Sequence, residues 1–312
     1  MKTLSRTLMI KLLLLLPFTL LIQSYTESGR LPSRELKEEI WKFPKKDTLF
    51  LETMGSTKVF ITGSNSGEIE IKLRYIAKPD EKFEVKEKQR TIYLKENILN
   101  YNEHRPTQTY FEEWTLIITV PHGIYIKCNG SSGEFEVTGF IGVFKADYAL
   151  GRFVFNNVEG SIDMSLALLK AKIYNSKGSF NMSSAGGSIR ATGLIIAGNS
   201  SFMSGMGNIK ISLARAPDAD LYAGSNFNKA KVNFNGHPVT GCFEFIAMAD
   251  GGRIISPFKF DIEETFLDDI KNYNTSSDFG KKDEYNRKSF IRGDSKPKII
   301  IKTVTGTAKL LK

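Results

Sequence analysis

From Gly133 to Gly207 the chain alternates apolar and polar residues in short bursts, and the bursts recur. Apolar pairs stand at Phe135/Val137, Phe144/Ala146, Phe153/Phe155, Ile162/Met164, Ala171/Ile173, Phe180/Met182 and Ile189/Ala191. The residues between them are mostly polar, as at Glu134/Glu136, Ser161/Asp163, Lys170/Lys172 and Ser188/Arg190. Alternation with period two turns one set inward and the other toward water, the mark of a half-buried strand. Each burst follows a slot that recurs every nine residues, and glycine fills six of the seven slots: Gly133, Gly142, Gly151, Gly160, Gly178 and Gly187, with Leu169 as the exception. The nine-residue unit therefore predicts one short strand and one corner. Glycine suits such a corner because it admits a positive φ or a close approach of backbone to backbone. A unit this small cannot bury its own apolar face, so the units must stack. The expected fold class is all-β: a single-domain β-solenoid, β-helix-like, with short strands, glycine corners and capping end strands.

The pattern continues beyond the ladder. Ile209/Ile211 follow Gly207, and Leu221/Ala223, Val232/Phe234 and Phe243/Phe245 repeat the inward spacing. Upstream, Gly67-Glu-Ile-Glu-Ile echoes Gly133-Glu-Phe-Glu-Val, which reads as the same device used twice. Strand patterns begin near Thr48, and further strands are expected over 83–85, 91–94 and 114–120. Pro121-His122-Gly123 then turns the chain into 124–128. Residues 264–298 break the pattern: Phe266, Leu267, Ile270 and Tyr273 have helical spacing, and a long polar run follows, which predicts a loop inserted into the solenoid. The final run, 299–310, reads as closing strands with Ala308 and Leu310 inward. With the strands before the ladder, it is expected to cover the ends of the stack, whose open edges would otherwise invite pairing.

The beginning of the chain reads as an address. Lys2, Arg6 and Lys11 precede an apolar stretch over 12–22, and Ser24, Thr26 and Ser28 follow, the order of a secretory signal peptide over 1–26. Eleven residues at 1.5 Å rise fall short of a hydrocarbon core of about 30 Å. Residues 27–44 then read as a charged spacer and 45–312 as the domain. The expected location is periplasmic or cell-surface, which argues against nucleic acid as partner despite a formal charge of +9. Cys128 extends the inward alternation of Ile124 and Ile126, whereas Cys242 has the opposite parity to Phe243 and Phe245. The two cysteines are therefore expected to be independent thiols, one inward and one outward.

Little in the chain points to catalysis. His104, His122 and His237 stand alone in their surroundings, so no metal spacing appears. No G-x-S-x-G elbow occurs, and the glycine-rich run 204–208 lacks the Lys-Ser/Thr and the helix of a phosphate loop. Asp147, Asp163, Asp218, Asp220 and Asp261 are the candidate acids for a glycosidase-like pair, which needs two carboxylates flanking one cleft. The ladder turns Asp163 outward, and Asp218 and Asp220 share parity across a corner. Phe135, Phe144, Phe153, Phe155 and Phe180 face inward and fill the core instead of forming a platform for sugars. Arg292-Gly293-Asp294 lies in the polar run, and Asn129, Asn181, Asn199 and Asn274 match the glycosylation acceptor pattern. No catalytic, cofactor-binding or metal-binding residue is assigned, and no cofactor is expected.

Several segments together resemble the bacterial "putative adhesin" family, a domain of unknown function whose members repeat S-G-x-apolar-x-apolar units. The matching pieces are 131–137 (SSGEFEV), 176–182 (SKGSFNM), 186–192 (GGSIRAT), 205–211 (GMGNIKI) and the closing IIIKTVTGTAKL, and 47–63 is similar to the family's entry strands. The resemblance covers about residues 45 to 312 and implies a β-solenoid on the cell envelope. The expected function is non-enzymatic binding, to a cell-surface glycan or an envelope protein, through an outward strand face or the 264–298 loop. A polysaccharide-active enzyme on a β-helix and a regulatory or stress-sensing envelope component stand as the alternatives.

Overall fold

The computed structural model describes residues 36–53, 57–76, 81–98, 114–268 and 283–312. The signal-peptide reading, His104, Ile270, Tyr273 and Asn274 lie outside the described residues. Within them the chain is all β, and its strands belong to one hydrogen-bonded sheet. The first part of the chain supplies β1 (Leu36–Pro44), β2 (Thr48–Thr53), β3 (Lys58–Ser64), β4 (Glu68–Ile76), β5 (Glu81–Lys88), β6 (Thr91–Ile98) and β7 (Thr115–Pro121). The ladder supplies β8 (Ile124–Gly130), β9 (Glu134–Thr138), β10 (Ile141–Asn156), β11 (Glu159–Tyr174), β12 (Lys177–Gly186), β13 (Ile189–Ile196), β14 (Ser200–Ser204), β15 (Ile209–Leu213), β16 (Leu221–Ser225) and β17 (Lys229–Asn233). The chain ends with β18 (Gly241–Met248), β19 (Arg253–Ile255), β20 (Ile262–Asp268), β21 (Asp283–Arg292), β22 (Lys298–Thr303) and β23 (Thr307–Leu311). Among the described residues, strand begins at Leu36, inside the stretch expected to be a spacer.

The stacking repeat is two nine-residue units, not one. β10 lies parallel to β11 with Ile141 opposite Glu159 and Asn156 opposite Tyr174. β11 continues onto β12 with Glu159 opposite Lys177. One strand and one corner carry the chain only to the other side of the core. A second unit brings it back to where parallel pairing is possible. Each tier therefore has two arms, and their inward residues meet: Phe144 on the first arm of β10 packs edge-on against Phe153 and Phe155 on the second. Phe153 also stacks on Phe135 of the tier below, with ring centroids 4.7 Å apart. The inward set read from parity is the observed core; Phe135, Phe144, Phe153, Phe155, Phe180, Ile209, Ile211, Phe243, Phe245, Ala308 and Leu310 are all buried.

Glycine earns its slots in two ways. Gly142, Gly160 and Gly178 stack in register near the starts of β10, β11 and β12. A Cβ on Gly160 would lie 2.0 Å from the carbonyl oxygen of Gly142, and one on Gly178 would lie 1.7 Å from that of Gly160. Gly151 instead falls inside β10, which runs unbroken past its bend, so not every slot is a corner. There the parity shift, with Ala149 and Leu150 both exposed, marks the bend. Gly67 has open space around it, and β4 runs antiparallel to β1 and β7, so the echo at 67–71 is a covering strand and not a second ladder.

Both ends of the stack depart from chain order. β2 pairs in parallel with both β6 and β8, and β3 with both β7 and β9, so the early tier is wedged inside later ones. β22 likewise lies between β16 and β18, and β23 between β17 and β19. The closing run is thus an interior tier and not the expected cover. The covers are antiparallel: β1 on β4 and β4 on β7 at one end, and β20 on β21 and β21 on β18 at the other. Most of the described part of the 264–298 stretch belongs to this pair of strands, so the helical spacing of Phe266 and Leu267 does not produce a helix there. The outermost strands carry the devices that discourage edge pairing: β1 is rich in Glu and Lys, and β19 is three residues long.

Candidate functional site

The outward residues of each arm form columns that climb the tiers, and the two arms present different chemistry. On the first arm one column reads Lys145, Asp163, Asn181, Ser201, Tyr222 and Ile300. Its neighbour reads Asp147, Ser165, Ser183, Met203 and Gly224. Charges on this arm are compensated from tier to tier. Lys145 lies 3.0 Å from Asp163, and Lys177 lies 2.6 Å from Glu159.

Small side chains leave a trough on this arm. Ser165, Ala167, Ser183, Ala185, Gly205 and Gly224 form its floor, and Met203 and Tyr222 rise beside them, enclosing about 470 Å³. The Tyr222 ring lies over Gly224, where a Cβ would come 2.6 Å from the ring. Burial raises the pKa of the Tyr222 hydroxyl above its ordinary value. On the other side of Tyr222 a second hollow of about 190 Å³ is bordered by Asn181, Asn199, Ser201, Asp220 and Lys298. The two hollows share the ring and run along the stack. Together they offer an aromatic face, hydroxyls, amides and one carboxylate, the mixture that holds a polar ligand with apolar ring faces.

Beneath the trough, buried hydroxyls fasten the corners. Ser204 Oγ accepts from the N–H of Gly207 at 2.7 Å and donates to the carbonyl of Gly187 at 2.8 Å. Ser225 Oγ donates to Gly207 O at 2.6 Å and accepts from Asn228 N at 3.2 Å. Thr303 repeats the arrangement with Asn228 and Gly306. Each satisfies backbone groups that a tight corner would strand. The parity reading missed these residues, although Ser/Thr three places before a corner residue at 204, 225 and 303 is a visible signal.

The second arm is different. Lys172, Arg190, Lys210, Lys231 and Lys309 stand in one column, each the registered partner of the next. Tiers stack about 4.8 Å apart, and like charges in adjacent registered positions oppose folding. At that spacing two unit charges in water repel by about 1 kcal/mol before salt screens them. Among the described residues, none of the five forms an ion pair. The adjacent column reads Glu134, Arg152, Lys170, Ser188, Asn208, Lys229 and Thr307, with its one carboxylate, Glu134, at the lower end opposite Arg152.

No protein-family model matches the chain, and no curated protein matches it. Among solved structures, the chain is similar to a "putative adhesin" from Bacteroides fragilis, at 14% identity over 91% of this chain and 100% of that one, with a TM-score of 0.39. It is also similar to a "putative cell adhesion protein" from Clostridium sporogenes, at 14% identity over 88% of this chain and 99% of that one, with a TM-score of 0.30.

The candidate acids are distributed over the surface. Asp163 pairs with Lys145, and Asp218 pairs with Arg215 at a corner. Asp220 accepts from the Lys298 N–H at 2.8 Å, and Asp261 accepts from the Ile291 N–H at 3.1 Å. Asp147 is exposed on the first arm. Among the described residues, no three His, Cys, Asp or Glu side chains gather as a metal site would require. Cys128 is buried, with its thiol pKa raised by desolvation, whereas Cys242 is half-buried and turned outward, as parity predicts. Arg292 packs its guanidinium over the Phe258 ring, 4.1 Å from the centroid. No described helix is long and apolar enough to cross a membrane.

Proposed function

We propose that the chain is an exported, non-enzymatic β-solenoid of the bacterial envelope or cell surface that binds a linear glycan along its first arm. The eighteen-residue parallel offset, with inward residues of two arms meeting across one core, supports the solenoid winding. The secretory pattern of residues 1–26 supports export. The observation that carries the binding reading is the trough: small residues stacked over four tiers make a channel parallel to the stack, with Tyr222 beside Gly224 as its aromatic element. A channel that crosses tiers suits a polymer better than a compact metabolite, because a rigid repetitive scaffold presents an extended surface. Each candidate acid is engaged in a separate local contact or stands alone, which favours retention of the polymer over its cleavage.

Purified protein is screened against neutral and acidic glycans for both retention and product release, alongside Tyr222→Ala and Gly224→Leu. The expected result is retention of a glycan without cleavage, weakened by both substitutions while thermal unfolding changes little. Cleavage products, or retention indifferent to both substitutions, would overturn the proposal.

A further inference from the structure

The five-cation column on the second arm has no role in the trough. Its residues lie on the opposite arm of each tier, on β11, β13, β15, β17 and β23. Elsewhere this chain places opposite charges in register: Lys42 with Glu70, Arg74 with Glu38, and Lys145 with Asp163. The second arm does the reverse over five consecutive tiers. Cross-strand chemistry disfavours that choice, so an external anion is the natural source of compensation.

We infer that the column Lys172–Arg190–Lys210–Lys231–Lys309 is a binding site for a linear polyanionic polysaccharide, laid along the stack with its carboxylates or sulfates against successive tiers. The site is separate from the Tyr222 trough and does not depend on it. The geometry favours this occupant over the other polyanions. The cations repeat at the tier spacing, about 4.8 Å, a distance comparable to the length of one sugar ring. Four of the five are lysines, which act as point charges, whereas recognition of phosphate groups by paired bonds favours arginine. No aromatic residue stands in the column to stack bases, as single-stranded nucleic acid binding requires. The two flanking columns, Arg152–Lys170–Ser188–Asn208–Lys229 and Tyr174–Thr192–Ser212–Asn233–Leu311, are mostly polar, and the half-buried Tyr174 and Leu311 stand at opposite ends, which leaves no continuous apolar face to enter a lipid surface.

The test uses the whole protein and four probes: a polyuronate, a sulfated glycosaminoglycan, a single-stranded oligonucleotide and anionic lipid vesicles, with a neutral glucan as reference. Binding is measured by titration calorimetry as salt rises from about 50 to about 200 mM, a range over which multi-contact polyanion binding weakens steeply. Either acidic glycan is expected to bind, with affinity falling more than about tenfold across that range. The pair K210E/K231E is expected to lose at least about tenfold in affinity, whereas K210R/K231R retains it. K259E/K296E changes net charge equally away from the column and is expected to bind as the wild type. Circular dichroism of each variant reports folding. The inference is overturned if neither acidic glycan binds, if the column pair and the control pair lose affinity equally, or if the oligonucleotide or the vesicles bind more tightly than both glycans. Tyr222→Ala leaves this binding unchanged, and neutral-glucan retention that fails in Tyr222→Ala but survives K210E/K231E separates the two sites.

Discussion

Replacing Gly178 by alanine asks whether the glycine ladder is a steric necessity or a habit of composition. Gly178 has φ of 149° and stands between Gly160 of the tier before and Ile196 of the tier after. The added Cβ would lie 1.7 Å from the Gly160 carbonyl oxygen, and that atom is backbone, so one tier must move relative to the other. The dihedral costs about 1–3 kcal/mol for a residue with a Cβ. Forcing the overlap apart costs about 1–3 kcal/mol more, as overpacking does in other cores. The expected loss is therefore between about 2 and 6 kcal/mol. Gly151→Ala should fall lower, because its Cβ meets the side chains of Phe153 and Leu166, which can shift. Gly67→Ala should be near neutral, since nothing lies within 4 Å. Urea unfolding followed by circular dichroism gives all three midpoints. Equal losses at 178 and 67, or a loss below about 1 kcal/mol at 178, would refute the account of the ladder.

Three further outcomes follow from the packing. Phe153→Ala is expected to cost about 3–5 kcal/mol, as for other buried phenylalanines, because the ring is fully buried and contacts Phe135, Phe144 and Phe155; a loss under half of that in chemical unfolding would contradict it. Ser204→Ala should cost about 1–3 kcal/mol by leaving the Gly207 N–H without its acceptor, whereas Ser201→Ala, on the outward parity, should stay within about 0.5 kcal/mol. Burial raises the Cys128 thiol pKa above its ordinary 9.0, so the unfolded chain releases that proton first as pH rises. That stabilisation is full below pH 9.0 and declines above it, by up to about 1.4 kcal/mol per pH unit. Unfolding midpoints measured through this range should fall less steeply in Cys128→Ala than in the wild type.

The sequence discloses side-chain direction better than it discloses partnership. Alternation places Phe144, Phe153, Ile162 and Phe180 in the core because burial acts on each strand locally, without regard to the neighbouring strand. The same alternation would look alike for a nine- or an eighteen-residue stack, so the register needs the structure. Nor does the chain announce that β2–β3 and β22–β23 enter the stack out of order, since any apolar tier can cover any other. The covering strands β20 and β21 are concealed because β20 is mostly exposed and β21 lies in the polar run, half-exposed and mixing Lys, Arg and Glu. The trough is legible only after alignment, when Ser165, Ser183 and Gly224 fall above one another. The cation column has the same character: Lys172, Arg190, Lys210, Lys231 and Lys309 lie 18 to 78 residues apart and each, alone, reads as a solvated surface charge.

The out-of-order tiers also bear on how the chain resists being pulled apart. A tension applied at Lys312 reaches β23 first, and β23 is hydrogen-bonded along one flank to β17 and along the other to β19. It cannot peel away as a free margin would. Undoing it means shearing two ladders together and lifting the β18–β19 tier away from β22–β23 behind it. β23 is therefore a bolt driven inward from the end of the stack, and detaching it should require more force than detaching a strand paired along one flank alone.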